Sequence, residues 1–355
     1  MAAQRVGKGK PGTRLLGLVA LLLVAMTGCG PQRFDPFESP QAALVWPAPP
    51  EQPRITYLGA VTGEADMERS RSWLEGVGEL LFGKEPLGVL VSPYAVAVDS
   101  RGLMFVADSA GAAIHTFDLR TRDYRQFSSL LGDQKLQRPV GLAVADTRLY
   151  VIDSVLRQVC VFRKDGGFIG VFGRERLERP AGIAYRPSDG SLYVADAARH
   201  VIQVFDREGN FLHSMGSRGV GPGQFNFPTH LCVDLSGRLY VSDTLNYRVQ
   251  VFAPDGQFLR LFGRQGDRPG NFAHPCGVAV DGFGNVYVSD RQFENVQVFG
   301  PGGQILMAFG QEGNDPGEFW LPAGVFVDSR NRIYVADCYN KRVQVFSLLE
   351  DTRND

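Results

Sequence analysis

Short runs in which apolar and polar residues alternate make up most of the chain, and turns rich in glycine and aspartate separate them. Between residues 229 and 263 the runs read THLCVD, RLYVSD, YRVQVFA and QFLRLFG, with Ser-Gly and Asp-Gly turns at two of the joints. A period of two is typical of β-strands, and glycine gives a tight hairpin turn its positive φ at no steric cost. The pattern therefore predicts units of four short antiparallel strands.

This unit recurs along the chain. One aspartate ends an apolar run in every copy, at steps of 45, 43, 47, 47 and 47 residues, and a phenylalanine stands nine residues after it. The six aspartates are Asp108, Asp153, Asp196, Asp243, Asp290 and Asp337. A fixed period in this range indicates a repeat architecture. Six units of four strands predict an all-β fold, a six-bladed β-propeller. Each aspartate is expected to accept backbone N–H groups in its turn, with metal binding as the alternative.

The sixth unit ends without a fourth strand, because only SLLEDTRND follows its third run. The missing strand has a counterpart near the other end of the chain, RITYLGAV at residues 54–61. We expect this N-terminal strand to complete the last blade and close the ring, which also covers two sheet edges.

The fourth unit carries a family resemblance. Its Gly-Gln-Phe linker at 223–225, its Asp-x-x-Asn-x-Arg turn at 243–248 and the Pro-x-Gly strand starts of other copies resemble the NHL repeat. The resemblance covers roughly residues 54–346 and is strongest in the last three copies. It implies a propeller domain at 54–348, followed by a tail at 349–355. Some NHL proteins bind RNA, and one NHL-like family, the peptidyl-hydroxyglycine lyases, holds zinc with three histidines.

The N-terminal segment differs from the rest of the chain. Residues 1–28 combine a basic start with a stretch of twelve apolar residues, which is typical of a signal peptide. Met26-Thr27-Gly28-Cys29 resembles a bacterial lipobox, so Cys29 is expected to carry a lipid; ordinary cleavage nearby is the alternative. Gly30 resembles the pattern of outer-membrane retention. We expect a lipid-anchored protein of the cell envelope, facing the periplasm or the cell surface, with residues 29–53 as a proline-rich tether.

Charge and cysteine spacing exclude several classes of function. Residues 1–28 hold four cationic residues and no acidic one, so their removal lowers the formal net charge from −1 to about −5. An acidic exported protein lacks the basic surface that nucleic-acid binding requires. Four cysteines remain after Cys29, with no spacing typical of zinc or haem sites. No cofactor is predicted. A disulfide or a metal contact between Cys276 and Cys338, on neighbouring blades, stays open.

One insertion interrupts the repeat pattern, at residues 62–92. It contains SWLEGVGELLFG, in which Ser72 and Glu75 form a capping box before an apolar stripe at helical spacing. The pattern predicts a short helix that either packs on the propeller or docks a partner.

Function is expected on the loop-rich face, where we predict a binding or scaffold surface for another protein or an envelope ligand, without catalysis. Aromatic residues on exposed turns are typical of interaction sites. The alternative is a metal-dependent enzyme of the lyase or lactonase kind, centred on the channel. The candidate binding residues are Trp73, Leu80, His230, Cys276, Tyr247, Phe293 and Tyr339.

Overall fold

The computed structural model describes Phe37 and residues 44–67 and 88–349. Within these ranges the chain folds into six antiparallel sheets, each of which is one blade. In the first five blades, four strands run from the inside to the outside in chain order. Blade one comprises Pro93–Val98, Leu103–Asp108, Ala113–Asp118 and Tyr124–Phe127. Blade two comprises Pro139–Val144, Arg148–Asp153, Gln158–Arg163 and Phe168–Phe172. Blade three comprises Pro180–Arg186, Ser191–Asp196, Val201–Phe205 and Phe211–Met215.

The later blades repeat this arrangement, as the repeat count predicted. Blade four comprises Pro228–Val233, Leu239–Asp243, Arg248–Phe252 and Phe258–Phe262. Blade five comprises Pro275–Val280, Val286–Asp290, Asn295–Phe299 and Ile305–Phe309. Blade six comprises Pro322–Val327, Arg332–Asp337 and Arg342–Leu348, completed by Ile55–Val61. The remaining elements are two 3-10 turns, Glu64–Met67 and Thr244–Asn246, and the two-residue strands Val45–Trp46, Ser217–Arg218 and Gln224–Phe225. In the described part of the chain, no helix is long and apolar enough to cross a membrane.

The N-terminal strand closes the ring, which confirms the expectation from the sequence. Ile55–Val61 pairs antiparallel with Arg342–Leu348, and Tyr57 lies opposite Phe346. The tether expected up to residue 53 differs in its last part, because Val45–Trp46 forms a fifth strand on the outer edge of blade six. The Trp46 ring lies 5.7 Å from the Phe346 ring, so apolar packing explains why this segment joins the sheet.

The core lies between neighbouring blades, where the repeated residues of the pattern meet. The second strand of five blades contributes a buried tyrosine. These residues are Tyr150, Tyr193, Tyr240, Tyr287 and Tyr334. The hydroxyl groups of Tyr240 and Tyr287 donate to Asp234 and Asp281, in the turns that precede their strands, at 3.1 and 3.0 Å. The phenylalanine nine residues after each repeat aspartate is also buried in every blade.

The repeat aspartates cap turns, as predicted. Asp243 is fully buried and accepts the N–H of Asn226 at 2.6 Å and the Arg248 Nε–H at 2.8 Å. Asp290 accepts the N–H groups of Ala273 and Gln292. Each carboxylate thus joins the turn after its own strand to the start of the inner strand, and satisfies backbone donors that burial would otherwise leave unpaired.

Antiparallel connectivity divides the loops between two faces. The turn face carries the starts of the inner strands, the turns between second and third strands, and the links between blades. The hairpin face carries the turns between first and second and between third and fourth strands.

Candidate functional site

The inner strands surround a central channel that contains a cavity of about 460 Å³. Its walls are mostly aliphatic, for example Val98, Val144, Val280 and Val327. The lining residues continue to the hairpin face, where the side chain of Arg101 is 70% exposed. The cavity therefore opens at the hairpin face.

Charged side chains surround this mouth. Lys164 Nζ donates to Asp99 Oδ2 at 3.0 Å, and Asp146 also lines the opening. Burial opposes ionisation of Asp99, but hydrogen bonds from the Leu103 N–H and from Lys164 outweigh it, so its pKa lies below the ordinary value. Asp99 is thus ionised and paired with Lys164.

At the turn face the channel narrows, because glycine backbones of adjacent inner strands approach each other. A Cβ atom on Gly324 would lie 2.8 Å from the carbonyl oxygen of Tyr94, and one on Gly277 would lie closer still to that of Ala323. Only glycine fits such an approach. His230 stands at the corresponding position of blade four and brings a polar side chain into this constriction.

His230 is buried between an aromatic ring and a thiol. Its ring stacks on Tyr94 at 5.6 Å, and its Nδ1 lies 3.5 Å from Cys276 Sγ. Burial, aided by the nearby charge of Arg291, lowers the pKa of His230 to about 4. Its Nε2 atom is buried and has no hydrogen-bond partner among the described residues.

The two cysteines that the sequence placed on one face lie in one small cluster with Ala323. Both are buried and both are free thiols. The Sγ of Cys338 donates to the Pro93 carbonyl at 2.9 Å, and burial raises its pKa to about 12. Burial also raises the pKa of Cys276. Within the described ranges, no group of three or more His, Cys, Asp and Glu side chains is arranged to hold a metal ion.

An exposed aromatic pair marks the turn face beside blade six. Tyr339 is 58% exposed and Trp320 is 50% exposed, and their rings lie 5.3 Å apart at an angle of 39°. Backbone bonds fix both residues, since the Trp320 N–H donates to Asp337 and the Tyr339 N–H donates to the Trp320 carbonyl. The sequence pattern predicted Tyr339 as a binding residue but gave no such prediction for Trp320. The available signal was its position two residues before Pro322, where other copies carry Asn226 and Ala273.

The other candidate residues are less exposed than this aromatic pair or lie outside the described residues. Tyr247 is partly buried at the end of a 3-10 turn and packs against the core between blades four and five. Phe293 is partly exposed in the corresponding turn of blade five. His230 and Cys276 are buried at the narrow end of the channel, so they are not available to a docked protein. Cys29, Trp73 and Leu80 lie outside the described residues.

Exposed large apolar side chains in loops concentrate on the turn face. The turn face carries Val89, Val91, Leu131, Val155, Val220, Leu245, Trp320 and Tyr339. The hairpin face carries Leu235, Phe283 and Leu349.

Two family models match parts of the chain. The NHL repeat matches residues 225–252 and 319–346, and a model described as a 6-bladed beta-propeller matches residues 184–237. These matches agree with the six blades of the structure. No curated protein matches the chain.

Several solved structures are similar in fold. An auxiliary nutrient binding protein from Bacteroides thetaiotaomicron superposes with a TM-score of 0.60 at 12% identity, over 75% of this chain and 71% of its own. A gluconolactonase from Xanthomonas campestris gives 0.56 at 17% identity, over 73% and 87%. Virginiamycin B lyase from Staphylococcus aureus gives 0.53 at 13% identity, over 76% and 86%. At such identities the likeness shows the fold alone.

Proposed function

We propose that this chain, an NHL-repeat six-bladed β-propeller, is a non-catalytic binding module that captures another protein of the bacterial envelope through its turn face. In this proposal a lipid on Cys29 holds the module at the membrane. The observation that carries the binding role is the exposed pair of Trp320 and Tyr339.

An exposed aromatic pair on a rigid frame suits a protein partner. Burial of apolar surface contributes roughly 25 cal/mol per Å², and tryptophan and tyrosine are frequent anchors of interfaces. Both backbones are already fixed by hydrogen bonds, so binding would order little beyond the two side chains. The other exposed apolar residues of the turn face, such as Leu245 and Val220, extend the surface around the pair.

The test compares variants of the two faces in the membrane-anchored full chain. Envelope crosslinking followed by capture should recover a partner with wild-type protein, and Trp320→Ala or Tyr339→Ala should reduce recovery by about tenfold or more, which corresponds to roughly 1.4 kcal/mol or more for an interface anchor. Phe283→Ala is the matched control, because Phe283 is a 64% exposed aromatic residue on the hairpin face.

Loss of capture with Phe283→Ala, but not with Trp320→Ala, would show that the partner binds the hairpin face and not the turn face. The alternative function, a metal-dependent enzyme in the channel, rests on fold likeness to the lyase and the gluconolactonase. Stoichiometric zinc or calcium in the purified full chain would favour that alternative over the proposal.

A further inference from the structure

Arg291 differs in size and charge from the residues at the same repeat position in the other blades. It is the first residue after the repeat aspartate of blade five, where the other blades carry small or short side chains. The corresponding residues are Ser109, Ser154, Ala197, Thr244 and Cys338. The Arg291 guanidinium carbon lies 5.8 Å from the centre of the Tyr94 ring, which belongs to blade one. Arg291 therefore reaches across blade six, where Ala323 and Cys338 leave room for it.

The charge of Arg291 has no carboxylate partner. Among the described residues, no carboxylate oxygen lies within 4.0 Å of its guanidinium, although Arg291 is partly buried. The two acidic groups nearby in the chain are committed to backbone donors. Asp290 accepts from Ala273 and His274, and Glu294 accepts from the Leu321 N–H.

Apart from Asp290 and Glu294, the groups around Arg291 are neutral at ordinary pH. Burial raises the pKa of the Tyr94 hydroxyl and of the Cys276 thiol, and burial lowers the pKa of both His230 and His274. A partly buried cation among neutral groups is costly unless an anion compensates it. The arrangement thus has a positive charge, a ring hydroxyl beside it and access from the turn face, because Tyr94 and Arg291 are both partly exposed.

From this geometry we infer that Arg291 and Tyr94 form a binding site for the carboxylate group of a small ligand, which enters from the turn face. The planar guanidinium fork matches the two oxygens of a carboxylate, and the Tyr94 hydroxyl can donate a further hydrogen bond. One cation balances one carboxylate charge, whereas a phosphate dianion would bring an excess.

The test is a calorimetric titration of the detergent-solubilised full chain with acetate and, separately, with inorganic phosphate. We expect one saturable acetate site per chain and weaker binding of phosphate. Arg291→Gln should weaken acetate binding by at least about tenfold, because it removes a charge-assisted hydrogen-bonded pair. Tyr94→Phe should weaken it severalfold. Arg179→Gln is the matched control, since Arg179 also lies over an aromatic ring of the turn face, at 4.9 Å from Phe227, and should leave the affinity unchanged.

Arg291→Lys keeps the charge and removes the fork, so it tests the site even if Arg291→Gln fails to fold. It should retain the wild-type melting temperature within about 3 °C and still lose acetate affinity severalfold. Wild-type protein without saturable acetate binding, or an Arg291→Lys variant with wild-type affinity, would overturn the inference. Equal affinity for phosphate would overturn the choice of a carboxylate. These measurements need no protein partner, so their failure is distinct from failure of the proposed binding function.

Discussion

His230 shows how one substitution in a repeat changes the chemistry of the channel. Four of the six inner strands carry glycine at this position, and a glycine would contribute no polar atom. Instead an imidazole is buried between Tyr94 and Cys276, where the Arg291 charge also opposes its protonation. The side chain is therefore stable in the folded protein only as neutral imidazole.

This burial predicts a stability loss in mild acid. Because the folded-state pKa of His230 is about 4 and the unfolded value is near 6.5, the unfolded chain binds more protons between these values. The contribution of neutral His230 is complete above pH 6.5 and decreases as the pH falls towards 4, by roughly 3 kcal/mol in all. Urea unfolding at pH 7.0 and pH 5.0 measures the part of this loss that falls between the two pH values, about 2 kcal/mol.

His230→Asn is the comparison variant, since asparagine keeps a polar side chain that does not titrate. The difference in unfolding free energy between the two pH values should shrink in this variant. Burial also lowers the pKa of His274, which lies in the same region. His274 therefore adds a further loss of stability in acid, of the same sign. An identical difference in wild-type and variant protein would show that protonation of His230 has no energetic cost.

At the scale of elements, the blades could be predicted because two regularities coincide. The alternation with a period of two assigns strands, and the spacing of the aspartates divides them into six units. The closing strand could also be predicted, because blade six lacks one strand and residues 54–61 supply one. Val45–Trp46 could not, since two residues carry no period; its position depends on packing of Trp46 against Phe309 and Phe346.

The candidate site was harder to predict, because its residues meet through tertiary packing and not through a local sequence pattern. Tyr339 could be named from its turn, but its pairing with Trp320 requires the fold of the linker before blade six. The approach of Arg291 to Tyr94 joins residues of blades five and one, and no local pattern links them. Sequence also suggested that His230 and Cys276 belong to a contact surface, whereas close packing of the inner strands buries them.

The closing strand should contribute more stability than the added edge strand. Tyr57 is buried beside Phe346, with ring centres 5.5 Å apart, so Tyr57→Ala should lower the unfolding free energy by about 3 kcal/mol. Trp46→Ala removes a partly buried ring and should cost about 1–2 kcal/mol. Leu259→Ala, on the exposed side of an outer strand, is the control and should change stability by less than about 0.5 kcal/mol. Urea unfolding gives all three values, and a Tyr57→Ala variant as stable as the control would contradict a ring closed by this strand.

At the scale of the whole molecule, the ring is a rigid support whose chemistry is set by a few residues at its two faces. Solved propellers with 12–17% identity include a nutrient binding protein and a gluconolactonase, so the fold by itself selects no activity. In this chain, exposed apolar loop residues concentrate on the turn face, and charged side chains surround the channel mouth on the hairpin face.

A binding surface on the turn face meets envelope proteins efficiently only if the molecule is held at the membrane near them. The proposed lipid on Cys29 would provide this anchor. Each buried CH₂ of an acyl chain contributes roughly 0.8 kcal/mol, so several chains on one cysteine give durable anchoring. Cys29→Ser should therefore move the protein from the membrane to the soluble fraction, or leave the precursor uncleaved, as measured by fractionation and N-terminal mass spectrometry. Cys232→Ser, which alters a partly buried cysteine of blade four, should stay in the membrane fraction. A Cys29→Ser protein that is processed normally and retained in the membrane would mean that something other than this lipid holds the ring there, and the turn face itself would then be the first surface to test.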